Sequence, residues 1–246
     1  MAQEQVTIHT ADGDCPTYVV TPEGTGPWPA VIIYMDALGM RPALLDIATR
    51  LADNGYLALL PDLFYRSGEY HIPTPTEVFA SGEFMKIIGP LMAVTGPDKA
   101  AADTRAYLDY LDTRSDVKGG KVGVVGFCMG GGMALATAGT YPDRVAAAAS
   151  YHGGNLATDQ PNSPHLLAPQ IKAEVYVAGA DNDHSYTPEM HERLKAAFDA
   201  AGLTYRAEIY PGALHGWMKP DFPIYDKASA ERGWKEMLDL FSRNLG

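Results

Sequence analysis

The sequence predicts an α/β fold, in which helices cover both faces of a mostly parallel central sheet. Short, nearly all-apolar segments alternate with longer amphipathic segments along most of the 246 residues. A short apolar segment is typical of a strand buried on both faces, and the amphipathic segments supply the helices that cover it. Hydrophobic residues make up 46% of the chain and charged residues 20%, which is an ordinary globular composition, so we expect one domain over residues 1–246.

The first elements are predicted in the N-terminal part of the chain. Alternating apolar and polar residues at 6–10 and 17–21 indicate two strands with one exposed face. Residues 30–35 are almost all apolar and predict a buried strand. An amphipathic segment at residues 43–54 ends before Gly55, which is the pattern of a helix with a left-handed cap.

The same alternation continues to the end of the chain. Further strands are predicted at residues 56–60, 121–127, 145–151, 173–178 and 205–210. Further helices are predicted at residues 98–114, 129–140, 188–201 and 228–244. Strands that alternate with helices favour a parallel sheet covered on both faces. Residues 66–96 contain three prolines and no clear period, and they are predicted to form an irregular, cap-like excursion over a site.

The charge of the chain limits the classes of partner. The formal net charge is −11 at pH 7, and the sequence pI is near 5.0. No cluster of Lys and Arg offsets this acidic balance, which argues against nucleic acid or an anionic membrane as a partner. A small anionic substrate stays compatible, because a few local cations can reverse the sign of a pocket. We expect a small-molecule substrate, bound by a monomer or a small homo-oligomer.

Cysteine content and the N-terminal residues bear on the compartment. Cys15 and Cys128 are the only cysteines in the chain. The N-terminus lacks the basic and apolar pattern of a secretory signal, and no apolar run approaches ~18 residues, so a cytoplasmic location is expected. A disulfide between the two cysteines is not expected in a reducing compartment. No cofactor and no metal are predicted.

The strongest chemical motif is Gly-Phe-Cys-Met-Gly at residues 126–130, between a predicted buried strand and a helix of small residues. This is the nucleophile elbow Gly-x-Nuc-x-Gly with Cys128 as nucleophile, in which the glycines allow a strained turn that points the side chain into a cleft. The start of a helix also favours a thiolate. The alternative is a glycine-rich helix start with an inert thiol. Cys15 has no such context and is expected to be structural.

An acid and a histidine follow the elbow in the chain order of an α/β-hydrolase triad. The predicted strand at 173–178 leads into a loop with Asp181 and Asp183, and the strand at 205–210 leads into a loop with His215. Both loops are expected at the same sheet edge as the elbow, so His215 is the expected base and either aspartate the expected acid. The acidic loop holds one histidine but no second one at ligand spacing, which argues against a metal site.

The other histidines are weaker candidates. His9, His165 and His191 lie in segments with no route to the elbow, and we expect them to be surface or packing residues. His71 lies in the irregular stretch and His152 ends a predicted strand, so either could contact a substrate.

Three segments together resemble the dienelactone hydrolase family. They are the elbow at residues 126–131, the segment Tyr-Pro-Gly-Ala-Leu-His-Gly-Trp at residues 210–217, and Pro-Asp-Leu-Phe at residues 61–64. The resemblance extends from the strand at residues 30–35 to the last helix, and it implies an α/β-hydrolase fold. This combination of motifs is specific to the family, though not to one substrate.

The resemblance implies a Cys-His-Asp triad, an oxyanion hole and a carboxylate that contacts the resting thiol. The matching triad positions are Cys128, His215 and Asp183, with Asp181 as the alternative acid. Asp183 is preferred because of its spacing from the next predicted helix. The oxyanion hole would be formed by the backbone N–H groups of Ala37 and Met129. Asp36 would contact the resting thiol, although the best-known members have there a glutamate, which is one methylene longer.

The resemblance also implies a site for a substrate carboxylate. Dienelactone hydrolases hold this group with arginines, and four residues beyond His215, at one of those positions, this sequence has Lys219. Lysine cannot form the bidentate pair of hydrogen bonds that arginine forms with a carboxylate, so weaker or different binding of the anion is expected. The candidate substrate contacts are Lys219, Arg66, Trp217 and His152, with Arg41 and Lys86 as further candidate cations.

The expected reaction is hydrolysis of a small ester or lactone, of the enol-lactone or dienelactone type, through a thioester acyl-enzyme. One alternative is a general carboxylesterase or thioesterase of the same architecture, which Lys219 in place of arginine favours. An alternative from another class is a non-catalytic binding protein with the same fold, which would lack a triad member.

Overall fold

The computed structural model describes residues 1–246 and contains one eight-stranded sheet. Its strands are β1 (Ala2–Thr10), β2 (Gly13–Thr21), β3 (Trp28–Tyr34), β4 (Leu57–Pro61), β5 (Val117–Phe127), β6 (Val145–Tyr151), β7 (Glu174–Ala180) and β8 (Tyr205–Tyr210). Their spatial order is β1-β2-β4-β3-β5-β6-β7-β8. β2 pairs antiparallel with both β1 and β4, and all the other neighbours are parallel. The predicted α/β fold with a mostly parallel sheet is confirmed.

Helices cover both faces of this sheet. They are α1 (Pro42–Asp53), α2 (Pro75–Ser81), α3 (Phe84–Met92), α4 (Pro97–Asp112), α5 (Met129–Thr140), α6 (Pro188–Ala200) and α7 (Lys227–Leu245). A Cβ added to Gly123 of β5 would meet Phe241 of α7, whereas a Cβ added to Gly126 would meet Gly130 of α5. Positions 123 and 126 of a strand point to opposite faces, so α5 and α7 lie on opposite sides of the sheet.

The predicted bounds of most elements agree with the structure to within two residues. β6, β8 and α5 have the predicted bounds, and the other predicted elements shift by at most four residues at either end. The largest shifts are at the edge strands β1 and β2 and at the start of β5, where backbone pairing extends beyond the apolar residues. Hydrophobic pattern marks what is buried, while pairing decides where a strand begins.

The stretch at residues 66–96, predicted to be irregular, contains the two short helices α2 and α3. Thr74 and Glu77 form a capping box at the start of α2, and Gly82 ends it with a left-handed φ of 66°. These capping residues could have been recognised in the sequence. The prediction of an irregular segment is wrong for residues 75–81 and 84–92: Pro75 stands at the first position of α2, where proline is favoured, and α3 accommodates Pro90 near its end.

The parallel strands bring their following loops to one edge of the sheet. The loops after β3, β5, β7 and β8 carry, in that order, Asp36, Cys128, Asp183 and His215. Residues that are far apart in the sequence therefore meet at this carboxyl edge. None of the helices combines the length and the apolar character that a bilayer crossing requires.

Candidate active site

The turn between β5 and α5 holds Cys128 in a strained backbone conformation. Its φ of 53° and ψ of −116° are rare for a residue with a side chain. A Cβ at Gly126 would lie 1.8 Å from the carbonyl oxygen of Gly130, and a Cβ at Gly130 would lie 2.2 Å from that of Tyr34. Only glycine fits both positions. The motif therefore folds as a nucleophile elbow, and Cys128 lines a cavity at the sheet edge.

The loops after β7 and β8 bring Asp183 to His215. His215 Nδ1 lies 2.6 Å from Asp183 Oδ2, and Nδ1 is the donor because a carboxylate only accepts. The other oxygen of Asp183 accepts hydrogen bonds from the backbone N–H and the hydroxyl of Ser185, at 2.8 and 2.7 Å. Asp183 is thus fixed by two residues. With Nδ1 occupied, Nε2 of His215 remains for Cys128, with which the ring interacts.

The charges in this group favour a protonated histidine. Burial lowers the pKa of His215, but the interactions with Cys128 and Asp183 outweigh burial and raise that pKa to about 10. Burial raises the pKa of Asp183, but the interactions with His215 and Ser185 outweigh burial and hold this pKa below its usual value. An imidazolium beside a thiolate is the pair that a cysteine nucleophile uses.

The two candidate acids have different surroundings. Asp181 Oδ2 accepts a hydrogen bond from the backbone N–H of Gly212 at 2.9 Å, and the N–H of Asp181 donates to the carbonyl of Ala213 at 2.7 Å. These bonds tie the loop after β7 to the loop after β8. Asp181 makes no hydrogen bond to His215, so Asp183 is the aspartate on the histidine.

Two backbone N–H groups beside the cavity could stabilise an oxyanion. Ala37 and Met129 line the same cavity as Cys128. The N–H of Ala37 donates to no backbone carbonyl. Met129 is the first residue of α5, where N–H groups have no partner within the helix. Both residues lie at the cavity, and a backbone N–H group has the chemistry that an oxyanion hole requires.

Asp36 does not make the expected contact with the resting thiol. Its two oxygens accept hydrogen bonds from the two terminal nitrogens of Arg41 at 2.8 and 2.9 Å, and one of them also accepts from Leu38 N–H. No hydrogen bond joins Asp36 to Cys128. Burial raises the pKa of Asp36, but Lys219 and Arg41 hold it below its usual value. Both oxygens are already bound to other groups, and the short side chain keeps them there.

Lys219, expected to bind a substrate carboxylate, is fully buried. Its Nζ lies 3.5 Å from Asp36 Oδ2 and 3.5 Å from the centre of the Phe127 ring, and it has no hydrogen-bond partner. Burial lowers the pKa of Lys219 to about 7. The residue does not line the cavity that holds Cys128, so this expectation is wrong. The loop turns the lysine into the interior, where it lies against Asp36 and Phe127.

The aromatic candidates also lie behind the site. Trp217 is buried, and its ring stacks on Tyr210 at a centroid distance of 4.5 Å. His152 is buried with its ring centroid 5.5 Å from that of His215, and burial holds its pKa well below the usual value. Neither residue lines the cavity, and His71 lies outside it as well. His152 packs against His215, whereas Trp217 and His71 lie away from the cavity. The expectation of substrate contact is therefore wrong for all three.

The remaining candidate cations are paired away from the cavity. Arg66 binds Asp103 with two nitrogens at 2.7 and 2.8 Å and also binds Asp12. Lys86 pairs with Glu83 at the surface. Neither lines the cavity. Arg66 as a substrate contact is therefore a wrong prediction, because a buried acid from α4 neutralises it.

The cavity itself has a volume of about 490 Å³ and is lined mainly by apolar side chains. Most of its apolar wall comes from α2 and α3 and from two loop residues, namely Phe79, Phe84, Met85, Met92, Leu214 and Phe222. The sequence-based reasoning missed all six. Their signal was present in part, since α3 has an apolar face, but the stretch was interpreted as irregular. No group of three His, Cys, Asp or Glu side chains is arranged to hold a metal ion.

A nucleophile elbow between β5 and α5 of a mostly parallel sheet, with a histidine and an acid on later loops, defines an α/β-hydrolase. A family model described as "Dienelactone hydrolase family" matches residues 15–245. A protein of Escherichia coli named "Putative carboxymethylenebutenolidase" is 30% identical over 245 residues, which cover 97% of this chain and 86% of that protein.

Solved structures show the same relationship. A "Putative Dienelactone Hydrolase" from Klebsiella pneumoniae superposes with a TM-score of 0.84 at 25% identity, covering 98% of each chain. A dienelactone hydrolase-like promiscuous phosphotriesterase from metagenomic libraries has a TM-score of 0.76 at 24% identity and covers 100% of each chain, which shows the shared fold. The chain belongs to the dienelactone hydrolase family, and it is a hydrolase of the dienelactone hydrolase type.

Proposed function

We propose that this hydrolase cleaves small ester or lactone substrates with a Cys128-His215-Asp183 triad, through a thioester acyl-enzyme. The observation that carries the proposal is the strained elbow that presents Cys128 to a cavity shared with His215, whose Nδ1 is 2.6 Å from Asp183. A φ of 53° is strained for a residue with a side chain, and such strain is concentrated at functional sites. In this proposal Asp181, which accepts a hydrogen bond from Gly212 N–H, stabilises the loop after β7.

The first half of the proposed reaction forms the acyl-enzyme. The Cys128 thiolate attacks the carbonyl carbon, and the backbone N–H groups of Ala37 and Met129 stabilise the oxyanion. The carbon–oxygen bond to the leaving group then breaks. The imidazolium of His215 gives its proton to the leaving oxygen, which departs as an alcohol or enol, or stays attached as the opened chain of a lactone.

The second half releases the acid. Neutral His215 removes a proton from water as the oxygen of that water attacks the thioester carbon. The carbon–sulfur bond breaks, which restores the thiolate beside an imidazolium, and the carboxylic acid leaves and ionises in solution. Asp183 keeps the ring in the orientation and tautomer that both proton transfers need.

The same proposal covers the organisation of the chain. Residues 1–246 would form one hydrolase domain, with α2 and α3 acting as the cap because they supply four large apolar side chains to the wall of the cavity. A catalytic thiolate must stay reduced, and on that basis we propose the cytoplasm as the location. A carboxylesterase or thioesterase acting on neutral substrates is the second candidate, which the absence of Lys and Arg from the cavity lining favours.

The proposal is tested by replacing each cysteine in turn. Cys128→Ala should lower kcat on p-nitrophenyl esters by at least ~10³-fold, because the nucleophile is lost while no large core side chain is removed. Cys15→Ala is the matched control: Cys15 is buried in β2 beside Tyr107, far from the elbow, and its loss should leave kcat unchanged. Cys128→Ser should retain only a small fraction of the activity, since a hydroxyl is much harder to deprotonate.

Labelling gives an independent measurement. Iodoacetamide should inactivate the wild type with one carboxamidomethyl group, found on Cys128 by peptide mass spectrometry, since burial raises the pKa of Cys15 to about 11. Wild-type turnover by a folded Cys128→Ala protein would remove the triad proposal. It would leave the elbow as a glycine-rich helix start with an inert thiol, and the nucleophile would have to be another group.

A further inference from the structure

The cavity that holds Cys128 contains no Lys or Arg, and its one charged histidine, His215, is already paired. None of its 19 lining residues is Lys or Arg, whereas three are aspartates. Asp183 is bound to His215, and the positive charge of His215 is already shared between Asp183 and Cys128. A substrate carboxylate in this space would meet acidic groups and no unpaired positive charge.

The nearest cations are not available to an anion either. Arg41 is held by Asp36 and by Asp221, whose Oδ2 lies 2.5 Å from the guanidinium Nε. Lys219 is 0% exposed and lies in the protein interior. To bind Arg41, a carboxylate would have to displace Asp36 or Asp221, and to bind Lys219 it would have to enter the interior beside Asp36. Breaking such a pair leaves an uncompensated buried charge, which is strongly unfavourable.

One wall of the cavity is apolar and partly open to solvent. Phe79 of α2 packs against Phe84 of α3 and edge-on against Phe222, with ring centroids 6.1 and 5.2 Å apart. Phe79 is 40% exposed, Met85 63% and Leu214 51%, and all three line the cavity. They are three of the five large apolar side chains that the whole protein exposes. Exposed apolar surface gathered at one cavity is typical of a ligand site.

We propose that the substrate is an uncharged ester whose acyl part is a medium-length apolar chain, lying along the wall formed by Phe79, Phe84 and Met85. The inference rests on the proposed function, since it places the ester carbonyl at Cys128. The acyl chain of the substrate covers the exposed apolar side chains of the wall. The acidic lining excludes a carboxylate at the end of this acyl chain that is farthest from the ester. The site thus selects against the charge that a dienelactone carries.

The test compares two esters that differ at one end only. p-Nitrophenyl hexanoate and mono-p-nitrophenyl adipate have acyl chains of equal length, ending in a methyl group and a carboxylate respectively. We expect kcat/KM to be at least ~10-fold higher for the hexanoate, because the carboxylate would be desolvated without a partner. Along the acetate, butyrate and hexanoate series, each added methylene should raise kcat/KM by roughly threefold as it leaves water.

A charge placed on the wall should reverse the preference. Met85→Lys should raise kcat/KM for the adipate ester about tenfold and lower it for the hexanoate ester, because it adds the missing cation. Leu166→Lys is the matched control, since Leu166 is a 50% exposed leucine outside the cavity and gains the same charge. That variant should change neither value. Equal responses from both variants would show a general charge effect and would overturn the role of the wall.

Binding to the Cys128→Ala protein separates this inference from the proposed function. Calorimetry should show binding of the hexanoate ester and at least tenfold weaker binding of the adipate ester, whether or not Cys128 is the nucleophile. If Cys128→Ala keeps full turnover and its kcat/KM still favours the hexanoate ester at least tenfold, the triad is wrong and the neutral-chain site stands. If Cys128-dependent turnover is equal or faster with the adipate ester, the triad stands and the neutral-chain site is overturned.

Discussion

Two buried carboxylates at the same sheet edge have different roles. Asp183 follows β7 and Asp36 follows β3, both line the cavity, and each is paired with a cationic group. The partner of Asp183 is His215, which is partly exposed and can gain or lose a proton. The partners of Asp36 are Arg41, which keeps its charge, and Lys219, which is fully buried.

The difference shows that the partner, more than the acid, decides what a buried carboxylate does. Asp183 orients a group that can transfer protons, so its pairing can support chemistry. Asp36 is neutralised by groups that cannot reach a substrate, and its hydrogen bonds to Leu38 N–H and Arg41 fix the loop that carries Ala37. We therefore expect substitutions at the first pair to affect the rate, and substitutions at the second to affect mainly stability.

The largest expected effect is that of Asp183→Asn. The amide would favour the wrong tautomer of His215 and would not stabilise its charged form, so kcat should fall by roughly 10²–10⁴-fold while the fold is retained. Asp181→Asn is the control, because an amide oxygen can still accept the hydrogen bond from Gly212 N–H, and kcat should change by less than about threefold. A greater loss for Asp181→Asn would transfer the role of triad acid to that residue. Steady-state kinetics on one ester decides between them.

The next largest effect is expected for Arg41→Met, which breaks the second pair. Removal of one partner leaves the charge of buried Asp36 under-compensated and should lower the free energy of unfolding by about 3 kcal/mol. Lys219 should limit the loss, because Arg41 depresses its pKa and the lysine would then hold a proton more readily. Urea denaturation measures the change. Arg105→Met, which breaks an exposed ion pair with Asp109 on α4, should leave the midpoint nearly unchanged, and a similar shift for both variants would argue against the buried pair.

The smallest effect concerns Lys219 and depends on pH. Its pKa is about 7 in the folded protein and about 10.4 in an unfolded chain. Between these values the unfolded chain binds a proton that the folded chain does not, so the free energy of unfolding rises with pH. From pH 7 to pH 9 this gain is about 2 kcal/mol for the wild type and should be missing in Lys219→Met. Parallel urea titrations at the two pH values test it, and equal pH dependence in both proteins would show that Lys219 stays protonated.

Sequence reasoning was strongest for segments whose structure is local. The elbow needs only consecutive residues, since Gly126 and Gly130 allow the turn and the apolar strand before them places it. The same holds for α5, β6 and β8, whose bounds are as predicted. It was weakest at residues 75–92, where prolines suggested an irregular stretch and the capping residues Thr74 and Glu77 were overlooked.

Substrate contacts were mispredicted for a different reason. Spacing in the sequence places Lys219 four residues from His215, but the turns between them, with Trp217 N–H bonded to Leu214 and Lys219 N–H bonded to Gly216, rotate the lysine into the interior. Arg66 was an equally reasonable cation until Asp103 of α4 neutralised it. Neither the inward turn of Lys219 nor the pairing of Arg66 with Asp103 could be identified from the residues nearby in the sequence.

The sequence alone determined the alternation of strands and helices, the elbow at Cys128 and the chain order of cysteine, acid and histidine. These features depend on local backbone geometry and on a hydrophobic pattern that any parallel sheet must satisfy. Only the tertiary structure decided which aspartate meets His215 and which charges remain in the cavity. Pairs such as Arg41 with Asp221 join residues 180 positions apart, and the charge left in a pocket is whatever such distant pairings have not already neutralised.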